Sequence, residues 1–285
     1  MKIVDYCVCC ESKRIDKSFG YFQPFISNKV MDYPVEQIRF ETGAPFFPIL
    51  FTNSMRCQDC GFVFSQARFE DAEMEKIYTG YRGEAYTSLR NTFEPGYSQL
   101  NKNIGKHPKE VQSRAEALIQ FMQPEVEANQ IGSVLDYGGD EGQHIPPCFN
   151  HAKRFVYDVS GANAVDGIVK VGKGFRKEVD FLICSNVLEH LPFPAMALDE
   201  MSNWMHKDTI LFIDVPDEIT GLDHQPVTFH EHVNYFDEKS LVALMKHKGF
   251  EVMKSETVTM DFGYTMARQV FLLAKSASAF SSRLS

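Results

Sequence analysis

Three groups of residues in this sequence have types and spacings that can do chemistry. The first is a pair of cysteine knuckles, Cys7-x-x-Cys10 and Cys57-x-x-Cys60. Two such knuckles can place four thiolates around a zinc ion, and an all-sulfur site is ordinarily structural. Cys9 lies inside the first knuckle and competes with Cys10 as a ligand, but the repeated spacing favours Cys10. Cys148 and Cys184 belong to no pair, and Cys184 lies in an apolar run where it reads as a small core side chain. Unliganded thiols and a redox pair are the other readings of the knuckles. The poor intrinsic foldability of this segment favours the metal.

The second group is Asp136-Tyr137-Gly138-Gly139-Asp140-Glu141-Gly142, which follows the apolar run from Ser133. A strand, a glycine turn and a helix together make a nucleotide-binding arrangement, because glycine lets the backbone approach a ligand. Phosphate-binding turns carry GxGxxG or a GK[ST] loop. This sequence has neither, and its three carboxylates would repel a pyrophosphate. They suit a ligand with positive charge and no phosphate, a description met by the sulfonium and amino group of S-adenosylmethionine. Asp158 closes the next strand, roughly 20 residues past the turn, where an acid can accept both ribose hydroxyls. The competing reading of Asp158 is a strand-end turn or helix cap.

The third group is His230-Glu231-His232, flanked by Phe229, Tyr235 and Phe236. Zinc-binding HExxH needs four-residue spacing on a helix. Histidines two apart suit an extended loop, and proton transfer near neutral pH is the preferred reading over a metal or a purely structural role.

The elements that must position these groups follow from periodicity. Strands are expected over Ser133–Tyr137, Arg154–Val159, Val165–Val171, Val179–Ser185 and Thr209–Val215, with helices over Pro194–Met205 and Glu238–Lys248. Alternating strands and helices imply an α/β fold with a mostly parallel sheet. Phe250–Thr259 and Ala267–Ala274 form a closing hairpin that adds one antiparallel edge strand. The short stretch Gly161–Asp166 leaves no room for a full helix. Upstream, Lys109–Met122 has helical spacing and Pro124 ends it. The expected units are a zinc-binding domain (1–75), a helical connector or lid over the substrate site (76–125), a cofactor-binding domain (126–276) and a frayed tail (277–285).

Bulk properties exclude several classes. At 285 residues, 44% hydrophobic and 24% charged, the chain is an ordinary globular one. Its net charge of −9, with no concentrated basic patch, argues against nucleic acid. No apolar run is long enough to span a bilayer, and Met1–Asp5 lacks a signal pattern, so a cytoplasmic protein with no membrane partner is expected.

Val134–Gly142, Asp158 and Asn186–Leu191 together resemble the Rossmann-like, S-adenosylmethionine-dependent methyltransferases. The resemblance implies that Gly138 and Gly142 shape the cofactor turn, that Asp136 and Asp140 lie near the amino-acid end, and that Asp158 holds the ribose. Tyr137, Gly139, Val159 and Asn186 complete the implied cofactor set. The family's turn has a further glycine where Asp140 stands.

The cysteine knuckles, Tyr78-Thr79-Gly80-Tyr81, Asn186…His190 and His230-Glu231-His232 resemble a narrower family, the zinc-knuckle sugar C-methyltransferases that act on nucleotide-activated deoxysugars. That resemblance implies His232 as the base, with Glu231, His190, Tyr78 and Tyr81 lining the sugar site. Two features depart from the family. It has tyrosine where Phe229 stands, and it carries a further C-terminal nucleotide-holding domain, whereas this sequence ends at Ser285. A smaller acceptor methylated on a hydroxyl therefore stands beside a ring carbon as the expected substrate, and the protein is expected to be a monomer or homodimer. The rival readings are a nicotinamide-dependent oxidoreductase and a non-catalytic zinc-anchored binding module. The missing GxGxxG opposes the first, and Asp158 with His232 opposes the second.

Overall fold

A computed structural model describes residues 1–32, 49–160, 162–220, 222 and 226–276. The expected tail, 277–285, lies outside the described residues, as does Gly161. The amino-terminal third holds a two-stranded ladder and the antiparallel centre of a second sheet, with helices beside them. β1 (Lys2–Ile3) pairs with β5 (Ala67–Arg68), and β2 (Ile15–Phe22), β3 (Phe51–Cys57) and β4 (Val63–Ser65) form a meander. Among the helices here, α1 (Pro24–Met31) opens on a proline, where the missing N–H costs nothing. Glu70 and Glu73 form a reciprocal cap on α2 (Asp71–Tyr78), and α3 (Glu84–Phe93), α4 (Tyr97–Leu100) and α5 (Pro108–Met122) follow.

The larger sheet contains β6 (Ser133–Tyr137), β7 (Lys153–Tyr157), β8 (Val169–Val171), β9 (Val179–Ser185) and β10 (Met205–Pro216), all parallel. Between β9 and β10 runs α6 (Pro194–Ser202). Beyond β10 come β11 (Val227–Phe229), β12 (Asn234–Tyr235), α7 (Glu238–His247), β13 (Phe250–Asp261) and β14 (Met266–Ser276). The order is β13-β14-β10-β9-β6-β7-β8. The strand antiparallel to both its neighbours is β14; it sits one place inside the edge, which β13 occupies.

Alternation along β9 explains how this sheet is covered. Phe181 and Ile183 pack with Leu118, Phe121 and Met122 of α5, while Leu182 and Cys184 pack with α6 and α7 on the other face. Each such side chain, fully buried, contributes about 1.5–3 kcal/mol. One expectation fails here. No helix follows the glycine turn after β6; the chain makes turns and a single 3-10 turn over Pro147–Phe149. Pro146-Pro147 supplies no backbone donors, which removes the first bonds an α-helix would need. Among the described residues no helix joins β7 to β8 either, as the short segment implies. Among the described residues no helix is long and apolar enough to cross a membrane.

The smaller sheet takes its outer strands from far along the chain. Its order is β11-β2-β3-β4-β12, with Phe229 opposite Phe22 and Tyr235 opposite Val63. The sheet is strongly curled, since the rings of Phe229 and Tyr235 lie 5.4 Å apart. Residues 230–233, which carry the histidines, therefore bridge the two outer strands of this sheet.

Candidate active site

β6 delivers the glycine turn to the carboxyl edge of the large sheet. A Cβ on Gly138 (φ 75°) would lie 2.5 Å from Val187, and one on Gly139 would lie 2.1 Å from the Asp136 carboxylate. The turn is tied to β7 by Gly138 N donating to Tyr157 O at 2.7 Å. Asp158 accepts from Asp140 N at 3.0 Å and from Ser160 N at 2.6 Å, so it lies against the turn. Val159 beside it is 88% exposed, an apolar side chain turned outward. Asn186 (φ 53°) stands at the end of β9 and reaches Asp214 at 3.3 Å. Tyr137 departs from the expected set. Its ring stacks on Tyr157 in the core and its hydroxyl donates to Glu200 at 2.8 Å, so only its backbone borders the turn.

Asp136 is the unusual group. It is buried, and its Oδ2 has no hydrogen-bond partner. Burial and then the Asp158 charge push its pKa up to about 7. A buried carboxylate without a partner is costly, and a cation would relieve it. The turn therefore fits a positively charged ligand. A cavity of about 300 Å³ opens between Ser133, Lys153 and Asp180. It lies at the amino ends of β6, β7 and β9, and has no part in this site.

The histidine loop meets α2 and the end of β9 at one cluster. Tyr78 Oη lies 2.9 Å from His190 Nδ1, and the His190 and His232 rings are 4.5 Å apart. Tyr81 packs edge-on against Tyr78 at 5.2 Å. Four of the expected acceptor-site residues, Tyr78, Tyr81, His190 and His232, thus come together. Glu231 lies at the cluster's margin, held by Arg90 at 2.7 Å.

Two of the three histidines are held in opposite electrostatic states. Burial first, then the neighbouring His232, depresses His190 well below its usual range, so it is neutral. His230 is opposed by burial but held by Glu218 and Glu231, which raise it to about 10 and keep it cationic. His232 Nδ1 lies 3.0 and 3.1 Å from the two Glu218 oxygens. Burial would raise Glu218, yet His232 and His230 hold it down at about 2. A carboxylate on Nδ1 fixes that nitrogen as the donor and leaves Nε2 as the acceptor.

A family model described as a methyltransferase domain matches residues 108–255, just over half of the chain. The chain belongs to that family. It is an S-adenosylmethionine-dependent methyltransferase by class. Among solved structures, the methyltransferase is similar in fold to the 1,6-didemethyltoxoflavin-N1-methyltransferase of Burkholderia thailandensis. The two share 14% identity and a TM-score of 0.50, over 78% of this chain and 98% of that one. A methyltransferase from Thermotoga maritima aligns at 17% identity and TM-score 0.46, over 65% of this chain and 98% of its own. The magnesium protoporphyrin IX methyltransferase of Synechocystis PCC 6803 aligns at 13% and 0.43, over 62% and 87%. No curated protein matches the sequence.

The methyltransferase also carries the four expected sulfurs in one group. Cys7, Cys10, Cys57 and Cys60 have their Sγ atoms within 4.8 Å of one another. The Cys7–Cys60 and Cys10–Cys57 separations are both 3.7 Å. A zinc tetrahedron with bonds of about 2.3 Å has edges of about 3.8 Å, so the donor set fits that ion. Cys9 is not one of the four; its thiol lies beside Cys7 and Cys60 and donates to Ser240 O of α7 at 3.3 Å.

Three residues that contact the cluster or its loops escape sequence reasoning. Glu218 sits in an irregular stretch with no motif. Arg90 gives only a helical i,i+4 pairing with Glu94. Arg68 is fully buried and donates to Pro192 O, Ser65 O, Val233 O and Leu191 O, and to Asn234 Oδ1, at 2.5–3.4 Å. Its one signal is an arginine set among Phe64, Ala67 and Phe69.

Proposed function

We propose that the methyltransferase acts on a small, sugar-like acceptor, with His232 as general base and a structural zinc on Cys7, Cys10, Cys57 and Cys60. The Glu218–His232–His190–Tyr78 chain at the carboxyl edge carries this reading. S-adenosylmethionine, when bound, supplies an activated methyl group for in-line displacement. The protein's own work is then positioning and removal of one proton. Glu218 orients His232 so that Nε2 takes that proton and Nδ1 shares the resulting charge with the carboxylate. Neutral His190 and Tyr78 offer a hydrogen-bonding pair to acceptor hydroxyls, and Tyr81 gives an apolar wall. For a ring carbon, the base generates a carbanion beside a carbonyl; for a hydroxyl, it takes the proton at transfer. Asp136, Asp140 and Asp158, with the glycines of the turn, would hold the donor, alongside Asn186 and Val159.

Labelled S-adenosylmethionine incubated with nucleotide sugars and polysaccharide precursors, followed by mass spectrometry, identifies the acceptor. With that acceptor, His232→Ala is expected to lower kcat about 10²- to 10⁴-fold, the usual contribution of a positioned base. Donor affinity in that variant should stay unchanged. Wild-type turnover by His232→Ala would sink the assignment.

A pH dependence follows from Asp136. A cationic ligand favours the ionised carboxylate, so binding below about pH 7 must release a proton. Affinity for S-adenosylhomocysteine, whose ammonium remains, is expected to weaken about tenfold per pH unit below that point and to level off above it. Calorimetry in buffers of different ionisation heat measures the proton released. A flat affinity between about pH 6 and 8 contradicts this role for Asp136.

A further inference from the structure

The acids of the glycine turn answer only half of the donor's amino-acid end. Asp136, Asp140 and Glu141 suit an ammonium and a sulfonium, but they repel the carboxylate that travels with them. Bringing that carboxylate into a partly buried cleft demands a cation. Two nearby candidates are already engaged. Arg114 bonds Glu110 at 3.1 Å and Asp214 at 2.9 Å. Lys170 donates to the backbone oxygens of Ser160 and Ala162.

Arg82 is different. Among the described residues it pairs with no carboxylate at ion-pair distance, and its Nε is buried without a partner. Glu231 influences it from further away and is already held by Arg90 at 2.7 Å. The guanidinium stacks 4.9 Å from the ring of Tyr81. Its backbone is in the left-handed region (φ 58°), held by Asn101 Nδ2 and Thr87 Oγ1, which donate to Arg82 O at 3.2 and 3.3 Å. A non-glycine residue kept in that region by its surroundings is a feature of ligand clamps.

A second buried nitrogen without a partner, from another segment, meets it. His144, two residues past Gly142, has a buried Nδ1 with no partner. The atoms Arg82 Nη1 and His144 Nε2 flank the same open side of Gly105, 3.5 and 3.6 Å from where a Cβ would stand. Burial, then Arg114, holds His144 neutral with a pKa near 4. The charge at this spot is therefore the guanidinium's alone. His144 follows the cofactor turn directly and Arg82 follows Tyr81, so the pair lies between the donor turn and the acceptor cluster.

We propose that Arg82 is the counter-charge that clamps the carboxylate of the methyl donor's amino-acid end, with His144 as a neutral hydrogen-bonding partner beside it. The inference rests on the methyl-donor reading of the turn. Its test needs no acceptor. Two ligands are titrated calorimetrically into the full chain: S-adenosylhomocysteine, and 5′-methylthioadenosine, which lacks the amino-acid end. In Arg82→Met, affinity for the first is expected to fall about 30-fold or more, as for loss of a charge-assisted pair, with the second unchanged. Arg82→Lys should recover part of the loss. Equal weakening of both ligands, or no change for S-adenosylhomocysteine, overturns the proposal. If the wild-type protein binds neither ligand, the donor reading itself fails, which is a distinct result.

Discussion

Cys57→Ser, or removal of metal by a strong chelator, is expected to unfold the small sheet and abolish methyl transfer. Cys57 ends β3 and Cys60 precedes β4, so the cluster clamps the turn between two of the three central strands. Structural zinc contributes on the order of 10 kcal/mol in isolated zinc-finger peptides. Here part of that is shared with a core that includes Phe62, Phe64 and Phe236, but the loss still exceeds an ordinary stability margin for this sheet. The effect reaches the proposed acceptor site because β11 and β12 hang on β2 and β4, and residues 230–233 are strung between them. Donor affinity should suffer less, because the turn at Gly138–Gly142 belongs to the other sheet. Metal analysis of the purified chain should give one zinc per molecule, and the melting temperature of Cys57→Ser should fall steeply. Cys9→Ser should be milder, since that thiol is not one of the four grouped ligands and its bond to Ser240 O is weak. A purified chain that holds no metal, and melts at the same temperature with or without Cys57, would defeat the zinc assignment.

The large sheet and the donor turn are legible in the sequence because both are local. Continuous apolar runs such as Val179–Ser185 mark strands buried on both faces, and the glycines sit where side chains would collide. The group of four cysteines is legible from spacing alone. The small sheet is not, because its outer strands are two- and three-residue pieces that pair with strands far back in the chain, Val227 with Gly20 and Asn234 with Phe64. The helix expected after the turn is absent although a glycine turn usually precedes one; the proline pair at 146–147 is the overriding signal. The cluster of Tyr78, His190 and His232 is legible as residue types and not as a network. Nothing in the sequence ties Glu218 to His232, since long-range pairing of charges has no periodicity.

Arg68 makes the same point with a large energetic consequence. Its guanidinium reaches the two loops that carry His190 and His232: the oxygens of Leu191 and Pro192 on one side, Val233 and Asn234 on the other. Asn234 in turn donates to Leu188 O at 2.7 Å and Leu191 O at 2.6 Å, closing the ring. Among the described residues no carboxylate pairs with this fully buried cation, so it is held by carbonyl dipoles and by the Phe64 ring, 5.8 Å away. Replacing it with methionine keeps most of the volume and strands the carbonyls and the Asn234 amide oxygen. Each stranded group costs about 1–3 kcal/mol, partly relieved by relaxation, so a net loss of about 3–5 kcal/mol is expected. Denaturant unfolding measures it. The functional effect should be separable from the loss of stability. At a temperature where Arg68→Met is still folded, its donor affinity should match wild type, while kcat falls because His232 and His190 no longer keep their 4.5 Å separation. A variant that loses stability but keeps full kcat would show that Arg68 only fills space, and that β12 and Glu218 suffice to hold the histidines in place.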